Sequence, residues 1–235
     1  MLTLIKLEWQ KHRIVTYMRN AFILAALLCV FIFAMDFLGI ANDPDTGVPD
    51  TAPGMNRISA TIELFANMSF LVFTGVMLST FLVSPYRNGT IHLMFSYPIK
   101  RQKILAAQML AVWIFNLAAL VITKLLLYSC AQLGSQFMVP AFVSDFDMTS
   151  YRFYLQLILK SAVLVSMGFI ALYAGMATLS SKVTIVTSFL LIFLTQANIG
   201  DITLSNYAAV PLLLTVISVL FAFLSLYRAE TKDLP

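Results

Sequence analysis

Six long apolar stretches, separated by short polar passages, constrain the fold of this 235-residue chain more than any other feature. They cover approximately residues 21–41, 62–83, 104–133, 153–179, 183–199 and 207–227. A helix of about 20 apolar residues crosses the hydrocarbon core of a bilayer, whereas transmembrane β-strands alternate in short segments. The chain is 60% hydrophobic and 11% charged, and a soluble domain carries about 25% charged residues. The sequence therefore predicts an all-α membrane protein with six transmembrane helices in a single transmembrane domain, residues 1–235.

The positively charged residues indicate how these helices are oriented. Of the 15 Lys and Arg residues, the outer loops hold Arg57 and Arg152. Lys124 and Lys160 fall within apolar stretches. The others lie in the terminal segments and the inner loops: Lys6, Lys11, Arg13, Arg19, Arg87, Lys100, Arg101, Lys103, Lys182, Arg228 and Lys232. Because short cytoplasmic segments of membrane proteins carry an excess of Lys and Arg, we expect both termini to lie in the cytoplasm.

The first 20 residues are typical of a helix that lies on a membrane surface. One helical face carries Leu2, Ile5 and Trp9, and Lys6, Gln10 and Arg13 stand beside it. Such a segment places its apolar face in the interface and its cations among the lipid headgroups. We therefore expect an interfacial helix over residues 1–20, packed partly on protein. A straight extension of the first transmembrane helix is the alternative.

Four ionisable residues interrupt the predicted membrane spans, namely Asp36, Glu63, Lys124 and Lys160. All four fall in the outer half when each helix is measured from its end at ~1.5 Å per residue. Ionisable groups inside spans are costly and often functional, so they are candidate site residues. We expect at least one acid to pair with one base. In the alternative interpretation each side chain reaches the outer interface separately.

Small residues mark one face of the fourth apolar stretch: Gly168, Ala171, Ala174, Gly175 and Thr178. Small side chains let two membrane helices approach closely. The pattern predicts internal helix packing on this face and, less often, a dimer contact.

The polar passage between the second and third apolar stretches, residues 84–103, has the sequence SPYRNGTIHLMFSYPIKRQK and lacks acidic residues. Its turn, capping and apolar positions include Gly89, Thr90, Leu93, Met94, Phe95 and Pro98, and its cations are Arg87, Lys100, Arg101 and Lys103. Asn88-Gly89 is typical of a tight turn, and Thr90 can cap a short helix. We therefore expect a cytoplasmic helix that docks on a partner. An ordinary basic loop is the alternative.

Two runs in this passage carry a family resemblance. The sequences YRNGTI (Tyr86–Ile91) and SYPIKRQKI (Ser96–Ile104) resemble the first cytoplasmic loop of type-2 ABC exporter permeases. In that family an acidic residue commonly stands a few positions before the Gly-Thr pair, and a Pro-Ile-x-Arg element opens the third span. Here Pro85 and Tyr86 stand in place of the acid. An ion pair made through that acid is therefore not expected in this chain.

The resemblance implies a bacterial inner-membrane permease that works with separate ABC ATPase subunits, which hold ATP and Mg, so that this chain itself carries no cofactor. It implies a second permease chain, identical or paralogous, and membrane lipid as further partners. The ATPase would contact a coupling helix and its flanks at Arg87, Gly89, Thr90, Leu93, Met94, Phe95, Pro98, Lys100 and Arg101. The compact size resembles permeases for peptide export or lantibiotic immunity, which move amphipathic or peptide-like substrates outward.

The sequence lacks the motifs of an enzyme. It contains no G-x-x-x-x-G-K-[ST] phosphate loop, so this chain does not bind ATP in that manner. His12 and His92 are far apart and have no Cys or carboxylate cluster beside them. We expect no catalytic residue, no metal site and no nucleic-acid partner. Two other classes remain open: a secondary transporter that uses an ion gradient, and a non-transporting membrane scaffold or sensor subunit.

Overall fold

A computed structural model describes residues 7–10, 14–37, 57–87, 101–137, 148–196, 198–199, 202–203 and 209–231. Most of these residues lie in helices α1 (Ile14–Phe37), α2 (Arg57–Leu78), α3 (Arg101–Phe137), α4 (Tyr151–Thr178), α5 (Ser181–Gln196) and α6 (Ala209–Thr231). Helix α2 continues into a π-helical segment, Ser79–Val83, and a last α-helical turn, Ser84–Arg87. The two-residue strands β1 (Asn198–Ile199) and β2 (Ile202–Thr203) pair antiparallel between α5 and α6.

Four of these helical regions are long and apolar enough to cross a membrane. They are Ile14–Met35, Ser59–Arg87, Gln102–Gly134 and Tyr151–Thr178. The apolar stretches Ser181–Phe193 of α5 and Leu213–Tyr227 of α6 are shorter. The predicted helical character is therefore confirmed, and the length and composition of these four helices are compatible with a multi-pass membrane protein.

Several helix boundaries differ from the approximate sequence-based ones. Helix α1 begins at Ile14, so residues 14–20 continue into the first long helix instead of ending an interfacial helix at residue 20. Helix α5 ends at Gln196, three residues before the approximate end of the fifth apolar stretch at residue 199. The backbone of residues 198–199 pairs with β2 and is extended. Ile199 is apolar and so continues the apolar sequence pattern, although its backbone lies in a strand and not in the helix.

Helices α2 and α4 form the centre of the bundle. Helix α2 packs against α1, α3, α4 and α5, and α4 packs against α2, α3, α5 and α6. One buried cluster includes Phe70 and Leu120, and a second includes Phe81 and Leu172. Of the apolar window in α2, 61% is buried, against 22% in α1. Helix α2 therefore contributes to both clusters and is enclosed by protein, whereas α1 lies at the periphery.

A short turn joins α4 to α5. The helix α4 ends at Leu179, whose φ of 51° is left-handed. The backbone N–H of Ser180 donates to the carbonyl oxygen of Gly175 at 3.2 Å, which satisfies one of the last carbonyls of the helix. Helix α5 then begins at Ser181. The connection is short, as the gap between the fourth and fifth apolar stretches predicts, but it consists of residues 179–180, because Ser181 and Lys182 already belong to α5.

Glycines allow α2, α4 and α5 to approach closely. A Cβ atom added at Gly175 of α4 would collide with Oγ1 of Thr184 on α5, and one added at Gly75 of α2 would collide with Oγ of Ser188. At Gly168 an added Cβ would lie 2.7 Å from Cγ2 of Thr74. Because apolar lipid supplies no hydrophobic force between helices, close contact of this kind stabilises membrane bundles. The small-residue face of α4 is used inside the bundle.

Replacing Gly175 by valine should therefore separate α4 from α5. We expect Gly175→Val to cost about 1–3 kcal/mol, as overpacking of a close contact does, and to lower the thermal unfolding midpoint in detergent. Ala118→Val is the matched control, because Ala118 is exposed on α3 and not enclosed by the bundle. Equal unfolding midpoints for both variants would show that the close approach at Gly175 does not stabilise the bundle.

Candidate functional site

One carboxylate lies between two ammonium groups where α2, α3 and α4 meet. Nζ of Lys124 is 3.7 Å from Oε2 of Glu63, and Nζ of Lys160 is 3.7 Å from Oε1 of the same carboxylate. Glu63 belongs to the second turn of α2, Lys124 to α3 and Lys160 to α4. The structure thus brings together three of the four candidate residues within spans, and the expected contact between acid and base is present for Glu63.

The three side chains differ in burial. The side chain of Lys124 is 0% exposed, that of Glu63 is 23% exposed and that of Lys160 is 57% exposed. Among the described residues, Nζ of Lys124 has no hydrogen-bond partner, because 3.7 Å exceeds hydrogen-bond length. Lys124 is therefore held in the bundle by charge attraction to Glu63, and the alternative of a lysine that reaches the interface separately is wrong for this residue.

The helical repeat explains why Lys124 points inward. Side chains four residues apart share a helix face, and Leu120 and Tyr128, one turn to either side of Lys124, are both buried. Asn116, a further turn away, is also buried. This face of α3 packs against α2. Lys124 therefore occupies a core position, where a positive charge requires a partner.

The side chain of Asp36 lies outside the described residues, although its backbone belongs to α1. Pairing of Asp36 with either lysine stays a prediction.

Two asparagines that the sequence interpretation missed lie deeper in the bundle. Nδ2 of Asn116 donates to the carbonyl oxygen of Val112 at 2.9 Å and contacts Sδ of Met77 at 3.4 Å. Among the described residues, Oδ1 of Asn116 and Oδ1 of Asn67 accept no hydrogen bond. Asn67 lies one turn after Glu63 on α2. The sequence signal for these two residues is a single asparagine within an apolar stretch, because polar side chains inside membrane helices are rare and usually functional.

The N-terminal segment docks on the N-terminal half of α3. Residues 7–10 are helical. Nε2 of Gln108 donates to Oε1 of Glu8 at 3.2 Å, and Nε1 of Trp9 donates to the carbonyl oxygen of Ala111 at 3.2 Å. Glu8 is buried. The expected packing of the N-terminal segment on protein is therefore observed for residues 7–10, and Glu8 is one of its contact residues.

The passage between α2 and α3 begins at the buried inner end of α2. Phe81, Leu82 and Val83 of the π-helical segment are buried. Oγ of Ser79 donates to the carbonyl oxygen of Ser181 at 3.4 Å and links this end of α2 to the start of α5. A π-helical insertion in a long helix is uncommon and frequently lies near a functional site.

The structure places few of the predicted coupling residues. Arg87 is exposed and ends the last helical turn of the α2 region, and the backbone of Arg101 begins α3. The remaining positions lie outside the described residues: Gly89, Thr90, Leu93, Met94, Phe95, Pro98 and Lys100. The coupling helix therefore stays a prediction. No group of three His, Cys, Asp or Glu side chains able to hold a metal ion is found in the part of the chain that the structure describes.

Comparison with known proteins gives one informative similarity. The chain is 23% identical to YcbO of Bacillus subtilis (strain 168), a protein described as uncharacterized, over an alignment of 239 residues that covers 99% of this chain and 100% of YcbO. The similarity therefore extends over every helix. No family model and no solved structure matches the chain.

Proposed function

We propose that this chain is the transmembrane subunit of an ATP-driven ABC exporter, which moves an amphipathic or peptide-like substrate outward with energy from a separate ATPase subunit. In this proposal all six helices span the bacterial inner membrane, both termini are cytoplasmic, and residues 90–95 form the coupling helix. Two such chains, identical or paralogous, pair with the ATPases. The membrane partner is lipid, and ATP and Mg bind to the ATPase.

The observation that carries the proposal is the position of the passage at residues 84–103. It connects α2, which is enclosed by the bundle, with α3, which packs on both α2 and α4. A partner that pulls on this passage would therefore act on the central helices. The resemblance of YRNGTI and SYPIKRQKI to the exporter loop supports the same assignment.

The charged cluster gives a specific reason to consider a second function. Lys124 and Glu63 lie inside the bundle, and proton- or ion-coupled transporters use buried ionisable pairs in their pathways. A secondary transporter would take its energy from an ion gradient, and ATP would have no direct role. The two functions therefore predict different inhibition: loss of ATP hydrolysis stops an ABC exporter, whereas collapse of the ion gradient stops a secondary transporter.

The test is transport of a fluorescently labelled lantibiotic peptide into inside-out membrane vesicles that contain the chain and its co-purifying ATPase. We expect ATP-dependent uptake that stops when the catalytic glutamate of the ATPase is replaced by glutamine, because hydrolysis then fails. Uptake should persist when a protonophore collapses the proton gradient. Loss of uptake with the protonophore and not with the ATPase variant would assign the chain to secondary transport. A lack of uptake under every condition would contradict the proposed export of such peptides.

A further inference from the structure

Lys160 stands on a lipid-facing surface of α4. Its side chain is 57% exposed, and Leu155, Ile158 and Leu159 beside it are exposed as well. In a bilayer, exposed apolar side chains on a spanning helix contact acyl chains. The ammonium group of Lys160 is therefore open to the lipid side, while its other side faces Glu63.

The cluster carries more positive than negative charge among the described side chains. Glu63 supplies the one carboxylate within ion-pair distance of the two ammonium groups there. The buried ammonium of Lys124 forms an ion pair with this carboxylate at 3.7 Å. It lacks a hydrogen-bond partner in the described part of the chain. Among the described side chains, the charge of Glu63 is therefore shared between two ammonium groups, and the cluster keeps one net positive charge at a site that opens toward lipid through Lys160.

The depth of Lys160 suits a lipid phosphate. Lys160 follows the first residue of α4, Tyr151, by nine positions, which corresponds to ~14 Å along the helix. A helix of 28 residues is ~42 Å long, and a centred helix extends ~6 Å beyond each face of a ~30 Å hydrocarbon core. Cα of Lys160 then lies ~8 Å below the boundary. A lysine side chain extends far enough to bring its ammonium close to the phosphate level.

We propose that Glu63, Lys124 and Lys160 form a binding site for the phosphate of an anionic phospholipid, with Lys160 in direct contact with the phosphate. Lys124 adds positive potential from inside the bundle, and Glu63 fixes both ammonium groups. The acyl chains lie along Leu155, Ile158 and Leu159, which makes a lipid a better ligand than free phosphate. The site is independent of ATP hydrolysis and of the direction of transport.

The test uses the purified full-length protein in nanodiscs of phosphatidylcholine with increasing phosphatidylglycerol, and native mass spectrometry to count retained lipid. We expect Lys160→Gln to weaken phosphatidylglycerol retention about fivefold, since one Lys near a membrane surface contributes about 1 kcal/mol to anionic lipid binding. Lys160→Arg should retain the lipid. Lys182→Gln is the matched control, because Lys182 is exposed in the first turn of α5, away from the cluster, and should leave retention at the site unchanged.

Three results would overturn the proposal. Unchanged phosphatidylglycerol retention in Lys160→Gln would show that Lys160 does not bind the lipid. An equal loss of retention in Lys182→Gln would show a general attraction of anionic lipid to positive charge. Full displacement of the lipid by excess glycerol phosphate would show an anion site that does not need acyl chains. If Lys160→Gln instead converts a dimer to a monomer at constant lipid retention, the surface binds a second protein chain. Thermal unfolding of Lys160→Gln near the wild-type midpoint excludes misfolding as the cause of a lipid loss.

Discussion

Glu63→Ala should destabilise the protein by about 3–5 kcal/mol, the cost of leaving one partner of a buried ion pair uncompensated. The side chain of Lys124 is 0% exposed and depends on Glu63 for its charge partner. Removal of the carboxylate leaves an ammonium group inside apolar protein and lipid, where water cannot replace it. The unfolding midpoint in a denaturing detergent titration should fall accordingly.

A double-mutant cycle measures the interaction energy between Glu63 and Lys124 separately from the effect of replacing each side chain alone. Because Lys124→Met removes the stranded charge, Glu63→Ala with Lys124→Met should be more stable than Glu63→Ala alone. The cycle of Glu63→Ala with Lys160→Met is the matched control, and its coupling should be smaller than that of the Lys124 cycle, because the half-exposed Lys160 side chain extends toward the hydrated headgroup region while Lys124 is enclosed by protein. Additive losses in the Glu63 and Lys124 cycle would reject the pair.

The helices were predictable from the sequence because the apolar stretches are long and uninterrupted. Each of the six stretches overlaps a described helix, and the differences lie at the helix ends, for example at residues 14–20, 57–61 and 198–199. At these ends local pattern and three-dimensional structure diverge. Ile199 is apolar in sequence and extended in structure, because its backbone pairs with Ile202 across the hairpin.

The candidate site was predictable in its residue types and only partly in its geometry. Glu63, Lys124 and Lys160 were identified as charged residues within apolar stretches. Their sequence positions do not show that Glu63 lies within ion-pair distance of both lysines. The difference between a buried Lys124 and an exposed Lys160 depends on which helix face α2 covers. Contacts that join distant segments, such as Glu8 with Gln108, arise from tertiary packing and leave no local signature.

Replacing Met94 and Phe95 by alanine should separate the chain from its ATPase. In the proposed coupling helix these are the largest apolar side chains, and a helix in a groove takes most of its affinity from a few such anchors. Loss of one strong anchor weakens binding by about 2 kcal/mol or more, roughly 30-fold. Because the passage lies outside the bilayer in the proposed topology, membrane insertion and the unfolding midpoint should not change.

The matched control lies in the same passage. Asn88→Ala with His92→Ala also removes two side chains, but both are polar. If residues 90–95 are helical, His92 is a surface neighbour of Phe95, because residues three positions apart lie on the same helix face, so the control removes a polar side chain beside the anchors while both anchors stay in place. This variant should retain the ATPase, so a loss confined to the apolar variant identifies the docking face.

In the proposed function, residues 84–103 couple this chain to an ATPase. The most direct measurement is the molar ratio of ATPase to tagged chain after purification from membranes that contain both proteins. We expect a ratio equal to wild type for Asn88→Ala with His92→Ala. The ratio should fall at least tenfold for Met94→Ala with Phe95→Ala, in line with the loss of an anchor, and ATP-dependent export should fall with it. A wild-type ratio and normal export for the apolar variant would make the passage an ordinary basic connector and contradict the claim.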